Sequence, residues 1–462
     1  MLTIPSFASI RQFTVYLPTG ADAYMRIYLP EQKSKPCRAL LAVPGGGYRQ
    51  TSIENNCQWA VFFAERHNMA FAVLHYRMPD GNPRIPVSDV TAALRLLHDS
   101  AQTWNINPAD IGIMGTSAGG HLASLTACTA EQDLRPSFQI LFYPVITMGE
   151  KGAHKGSRMR FLGKDCGNAE VEKRYSTELL VNDNTPPAFI TASADDYGVP
   201  PEANTMAYCK ALIQKNISAS MHIYPSGGHG WTFSSPLPFH DALLAELDSW
   251  LSSLPERCYN SRLYGRKIAF FGDSYVRNHK RPYQEAWHAL FAHKYGMEYF
   301  NFGRNGSRVS MDSKRFGPAM YKRCRELPDS LDFIVIIAGH NDTGLLDSIS
   351  TDSFKKAVTL VIRQLKKKSP DAVIAWFSPW RTKNYQGSNR QRVIQIIEKV
   401  CRRERIAFFN CAENSGILAN EEMFRKKYFQ STSDGAHLNA QGHKLFLPKA
   451  EVFLLNAFNA KQ

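Results

Sequence analysis

The sequence predicts two α/β domains in series, each a mostly parallel sheet with helices on both faces. Three observations carry that reading. Short apolar runs rich in β-branched and aromatic residues alternate with segments of helical periodicity. This rhythm stops in a polar, aperiodic stretch near residue 260 and then begins afresh. The charge changes at the same place. Residues 1–260 carry 21 Lys and Arg against 23 Asp and Glu, a net of −2, whereas residues 261–462 carry 34 against 18, a net of +16. The chain total of +14 therefore describes neither half. At 462 residues, 44% hydrophobic and 21% charged, the chain can bury a sizeable core without disulfides or metals, and global disorder is excluded.

In the first half the predicted strands are 39–43, 71–76, 111–114, 140–143, 188–191 and 221–224. Between the second and third, Val90, Ala93, Leu94, Leu97, Ala101 and Trp104 recur at helical spacing. This is the βαβ pattern of a parallel sheet. A last helix around 243–251 runs into Ser252-Ser253-Leu254-Pro255. The first domain is placed at 1–256, the linker at 257–265 and the second domain at 266–462. Strands 267–271, 298–302, 333–338, 373–377 and 406–410 follow, with helices at 354–367 and 390–403. No repeat of solenoid period is present.

Several functional classes drop out. No apolar run approaches the roughly 18 residues of a membrane helix, so no membrane partner is expected. The start, MLTIPSFASIRQFTVY, lacks the basic and apolar regions of a signal peptide, and a reducing cytoplasm is the expected compartment. Nine scattered Cys with no CxxC pair argue against a disulfide framework and against zinc. The basic runs Lys366-Lys367-Lys368 and Arg402-Arg403 are expected to be solvated helix faces. Nucleic acid is not an expected partner, because no reader motif accompanies them.

The strand 111–114 runs into Gly115-Thr116-Ser117-Ala118-Gly119. A G-x-S-x-G between a buried strand and a helix is a nucleophile elbow: a tight turn with small flanking residues that presents the Ser hydroxyl above the sheet. Pro44-Gly45-Gly46-Gly47-Tyr48 follows strand 39–43, and its glycines let backbone N–H groups approach an oxyanion. Asp195-Asp196 follows strand 188–191, and Gly227-Gly228-His229-Gly230 follows strand 221–224. The order Ser, Asp, His is the chain order of α/β-hydrolases. These blocks, with Tyr76-Arg77, PVSDVTAALRLLHDSAQTWNINPADIGIMGTSAGGHLAS, TPPAF and ADDYGVP, resemble the acetyl-xylan-esterase-like branch of that fold over roughly residues 10–252. The resemblance implies a serine esterase of acylated sugars. Ser117 is its nucleophile and His229 the base. Asp196 is the orienting carboxylate by its spacing to Val199-Pro200, with Asp195 the alternative. Ala118 and Gly46 or Gly47 supply oxyanion donors. Asp89 is read as a helix N-terminal residue and Arg77 as a structural donor.

The second half has its own set. Gly272-Asp273-Ser274 ends strand 267–271, Asn301-Phe302-Gly303-Arg304-Asn305-Gly306 ends strand 298–302, Gly339-His340-Asn341-Asp342 follows strand 333–338, and Asp434-Gly435-Ala436-His437 lies near the C-terminus. In this order they resemble the SGNH (GDSL-like) hydrolases over roughly 265–458, which implies a flavodoxin-like domain. By that resemblance Ser274 is the nucleophile, His437 its base and Asp434 the orienting acid. The backbone N–H groups of Ser274 and Gly306 and the amide of Asn341 are the oxyanion donors. An amide suits that role because it donates without charge. Tyr275 is expected to narrow the acyl pocket, His340 and Asp273 are expected to be structural, and His443 is expected to be a helix-face residue rather than a ligand. The resulting expectation is a cofactor-free and metal-free double serine esterase acting on acetylated, xylan-derived oligosaccharides, with complementary regiochemistry at its two sites. The competing expectation is that one domain acts on another acyl ester, transfers acyl groups or only binds glycan.

Overall fold

The computed structural model describes residues 10–31, 35–381 and 388–459. Residues 1–9, where no export signal is expected, lie outside the described residues. The chain divides into two compact units, Met1–Tyr259 and Asn260–Gln462, a boundary that falls within the predicted linker.

The first unit is built on eight strands: β1 (Arg11–Tyr16), β2 (Tyr24–Leu29), β3 (Cys37–Val43), β4 (Ala70–His75), β5 (Ile106–Thr116), β6 (Gln139–Phe142), β7 (Ala188–Ser193) and β8 (Ala219–Tyr224). Their order is β1-β2-β4-β3-β5-β6-β7-β8. All neighbours from β4 to β8 are parallel, whereas β1 pairs antiparallel with β2 and β2 with β4. Leu40 and Leu41 of the central β3 enter separate cores, one on each face. That is the period of two expected of a strand buried on both sides. One core packs Leu41 and Ile113 against Val90, Leu94 and Leu122. The other packs Leu40, Phe71 and Phe142 against Phe63, Leu247 and Trp250.

The second unit has five parallel strands: β9 (Lys267–Gly272), β10 (Glu298–Gly303), β11 (Phe333–Ile337), β12 (Val373–Phe377) and β13 (Ala407–Phe409), in the order β10-β9-β11-β12-β13. This is the flavodoxin-like arrangement. Its helix Thr351–Lys368 buries Phe354, Val358, Val361, Ile362 and Leu365 and turns its cations outward. Two of these basic residues are ion-paired, Arg363 with Glu404 at 3.0 Å and Lys368 with Asp329 at 2.9 Å.

Both sheets reverse their winding at one place, next to β3 and β5 in the first unit and next to β9 and β11 in the second. The crevice beyond the carboxyl ends of strands at such a reversal is where open α/β sheets bind ligands. Ser117 follows β5 and the glycine loop follows β3. Ser274 follows β9 and Asn341 follows β11.

Candidate active sites

β5 leads straight into Ser117, whose backbone sits at φ 53, ψ −122, a region L-residues rarely adopt. The neighbours must be small for this turn to close. A methyl group at Gly119 would collide with the carbonyl oxygen of Val43, and one at Gly115 with that of Gly119. The Ser117 amide donates to Phe142 O at 3.1 Å. The next amide, that of Ala118, opens the helix Ala118–Thr129, where a first-turn N–H has no intrahelical acceptor. Opposite it, Gly45 N donates to Thr116 Oγ1 at 2.9 Å and ties the glycine loop to the elbow. Gly46 and Gly47 follow at φ 133 and 63 and line the same cavity as Ser117.

Ser117 Oγ lies 2.7 Å from His229 Nε2, and His229 Nδ1 lies 2.6 Å from Asp196 Oδ2. The Asp196 side chain is fully buried, and its other oxygen accepts from the amides of Gly198 and Val199 at 3.0 and 2.9 Å. Both oxygens are thus fixed, and an ionised Asp196 holds the proton of His229 on Nδ1. Nε2 is then free to accept from Ser117. Asp195 is placed differently. It accepts from the amides of Gly228 and Gly227 at 2.8 and 3.3 Å, and these bonds hold its carboxyl below the usual range. The Tyr143 ring packs edge-on against His229, with centroids 4.9 Å apart.

A cavity of about 390 Å³ opens in front of Ser117 and His229. Two of its lining residues, His154 and Arg160, belong to no sequence motif. His154 caps the helix Lys155–Leu162 by accepting from Ser157 N, and Arg160 Nη1 donates to Gly47 O at 3.2 Å. Burial, with His229 and Arg160 nearby, pushes the His154 pKa down. Asp89 differs from its expected place at a helix start. It lies in the second turn of Arg84–Asp99, fully buried, and accepts from Arg77 Nη2 at 2.7 Å and Arg77 N at 2.8 Å. The pairing needs a buried position, and that position is one turn inside the helix.

In the second unit Ser274 Oγ lies 2.8 Å from His437 Nε2, and His437 Nδ1 lies 2.9 Å from Asp434 Oδ2. Asp434 Oδ1 accepts from the amides of Ala436 and His437 at 2.8 and 3.0 Å. Burial alone would raise the Asp434 pKa, but these bonds and the one from His437 outweigh it and hold it at about 2. Ser274 is the first residue of the helix Ser274–Arg277, whose cap, Asp273, accepts from Tyr275 N at 3.0 Å. Burial pushes the Asp273 pKa up to about 7. One Asn341 amide N–H is held by Ser307 O at 3.0 Å, and Nδ2 also lies 3.4 Å from Asp273 Oδ2. The second contact is long enough for an oxyanion to displace. Gly306 adopts φ 70, and a side chain there would strike the Phe316 ring.

The supporting residues of this site are packed by partners distant in sequence. Tyr275 is buried against Trp380, ring centroids 4.3 Å apart, with its hydroxyl 3.0 Å from His340 Nδ1. His443, expected on an open helix face, is instead buried, with Nε2 3.0 Å from Asn278 Oδ1. His279, which no motif singles out, stacks on His437 with centroids 4.1 Å apart and planes 13° apart.

Among the described residues no group of three or more His, Cys, Asp or Glu is placed to hold a metal ion. No helix among them is long and apolar enough to cross a membrane.

Comparison with known proteins finds a separate match for each half of the chain. Residues 25–210 match the BD-FAE family, and residues 270–445 match the GDSL-like Lipase/Acylhydrolase family. The chain is 42% identical over 247 residues to an acetylxylan esterase of Xylanibacter ruminicola, which covers 53% of this chain and 51% of that protein. It is 33% identical over 211 residues to endo-1,4-beta-xylanase B of Butyrivibrio fibrisolvens, covering 42% of this chain and 33% of that one. The chain thus spans about half the length of the first relative and a third of the second. Among solved structures, an acetyl ester-xyloside bifunctional hydrolase from Caldicellulosiruptor lactoaceticus is similar with 28% identity and a TM-score of 0.46, over 50% of this chain and 88% of that one. The chain joins a BD-FAE domain of α/β-hydrolase fold to a GDSL-like lipase/acylhydrolase domain.

Proposed function

We propose that the protein is a carboxylic ester hydrolase that removes O-acetyl groups from oligosaccharides, xylan-derived ones first, with a separate serine nucleophile in each unit. The observation that carries this is the hydroxyl–imidazole–carboxylate chain found twice, at Ser117–His229–Asp196 and at Ser274–His437–Asp434. The acetylxylan esterase relative supports the substrate class for the first unit. In each site the imidazole takes the serine proton as Oγ attacks the ester carbonyl and returns it to the leaving alcohol. The carboxylate stabilises the imidazolium between those steps. The amides of Ala118 and of Gly46 or Gly47, and those of Ser274, Gly306 and Asn341, hold the negative oxygen, each worth about 3 kcal/mol.

Two nucleophiles on one chain fit substrates whose acetyl groups sit on different hydroxyls, because attack tolerates only about 1 Å of misplacement. Complementary regiochemistry is therefore part of the proposal. It is tested by following acetate release from acetylated xylo-oligosaccharides by NMR, for the wild type, Ser117→Ala, Ser274→Ala and the double variant. Each single variant should spare a different set of acetyl groups, and the double variant should be inert. Identical positions cleaved by both single variants would refute the division of labour. Full activity in the double variant would refute the mechanism.

A further inference from the structure

The cationic wall of the Ser117 cavity has no part in the hydroxyl–imidazole–carboxylate chain. Arg49 and Arg160 both line that cavity, and no Asp or Glu lines it. Among the described residues neither arginine pairs with a carboxylate. Arg160 donates Nη1 to Gly47 O, which leaves Nε and Nη2 to face other partners. Its position is close to the chemistry. A Cβ built on Gly47 would lie 3.8 Å from Arg160 Nη1 and 3.7 Å from His154 Cε1. Nor is this a patch of a generally basic surface, because residues 1–260 carry a net charge of −2. The local sign is opposite to that of its own unit.

We infer that the first site prefers esters on sugars that also bear a carboxylate near the acyl group, as in a uronic acid branch, and that Arg160 and Arg49 set this preference. The inference rests on the esterase reading above. The oxyanion of the reaction is served by backbone amides, so the arginines are left for a charge that persists in the substrate. A guanidinium fork matches a carboxylate with two parallel hydrogen bonds. Both arginines are solvent-exposed, so screening limits each to a few-fold and the pair to about tenfold in kcat/KM.

The test uses the full chain carrying Ser274→Ala, so that only the first site turns over. Acetate release is measured from acetylated xylo-oligosaccharides with and without a glucuronic acid branch. The acidic substrate should be preferred about tenfold. The preference should shrink at high salt, fall towards unity in Arg49→Gln and Arg160→Gln, and partly survive in Arg160→Lys. Arg49→Gln leaves the bond to Gly47 intact, so a loss of preference there is not a loss of loop geometry. Equal rates on the two substrates, or a preference that survives both Gln variants, overturns the inference and leaves the esterase reading standing. A preference for p-nitrophenyl hemisuccinate over the butyrate ester, without one for the uronic acid branch, also overturns it by moving the charge to the acyl side. No hydrolysis of either oligosaccharide overturns the esterase reading itself, and this inference with it.

Discussion

Asp195 and Asp196 are adjacent in sequence and chemically identical, yet the structure gives them very unequal consequences on mutation. In Asp196→Asn, Oδ1 still accepts from Gly198 N and Val199 N, so the new amide nitrogen must face His229 Nδ1. It can only donate there. Nδ1 must then accept, the ring proton moves to Nε2, and Nε2 can no longer take the proton of Ser117. The expected loss is about 10⁴-fold in kcat, the size found when a triad carboxylate elsewhere is replaced without moving it, or about 5 kcal/mol. In Asp195→Asn the remaining carbonyl oxygen keeps the shorter bond, from Gly228 N at 2.8 Å, and releases the longer one from Gly227 N at 3.3 Å. One such bond is worth about 1 kcal/mol, and the effect on rate should stay within about tenfold. Both variants are assayed on p-nitrophenyl acetate in the Ser274→Ala chain, with circular dichroism to confirm folding. If Asp195→Asn is the more damaged, or Asp196→Asn loses less than about a hundredfold, the reasoning fails.

Three further outcomes are expected. Asn341→Ala, assayed in the Ser117→Ala chain, should lower kcat about 10²-fold with little change in KM, because it removes a donor needed when charge develops on the oxygen; a change in KM alone would refute that role. Arg77→Met should destabilise the first unit by about 3 kcal/mol in denaturant unfolding, since it strands the fully buried Asp89; a loss under about 1 kcal/mol would refute the pairing. The folded-state pKa of Asp434, about 2 against an ordinary 3.8, is depressed, so its stabilisation is present above about pH 4 and is lost as pH falls through 2. It amounts to about 2 kcal/mol. Unfolding of the second unit in wild type and Asp434→Asn should therefore converge at low pH, and a gap that persists there would refute the assignment.

The parts legible in the sequence were those where local chemistry and tertiary position coincide. Both serines follow a short apolar strand, and the winding reversals place them at the crevices. The antiparallel edge strand β1 escaped prediction for a physical reason. β1 lies at the sheet edge with all six of its residues exposed or half-exposed, so it offers alternation rather than an apolar run. The apolar run predicts a start for β5 at Ile111, yet the strand starts at Ile106. Asn107-Pro108-Ala109-Asp110 looks like a turn, and it is accommodated by a register shift opposite Cys37 and Ala39, with Asp110 held by Arg38 at 2.9 Å. The helical periodicity of Val90 to Trp104 ran through a break at Ser100 that separates Arg84–Asp99 from Ala101–Trp104. His154 and Arg160 could not be found by motif, because each reaches its site from a chain distance that spacing rules do not cover; His279 lies five residues beyond Ser274, its amide donating to Ser274 O at 3.1 Å, but no motif marks it. His279 meets His437 across more than a third of the chain.

The two nucleophiles differ in how the backbone tolerates them. Ser274 opens a capped helix in ordinary conformation, so nothing about folding opposes a larger or smaller residue there except packing. Ser117 is held at φ 53, ψ −122, a geometry that costs about 1–3 kcal/mol for any residue with a β-carbon and almost nothing for glycine. Glycine would add some freedom to the unfolded chain, about 0.4–1 kcal/mol, which is less than most of that range. Thermal robustness and turnover thus ask for different residues at position 117, and a lineage screened for heat resistance alone would drift towards an inert first unit while keeping its second.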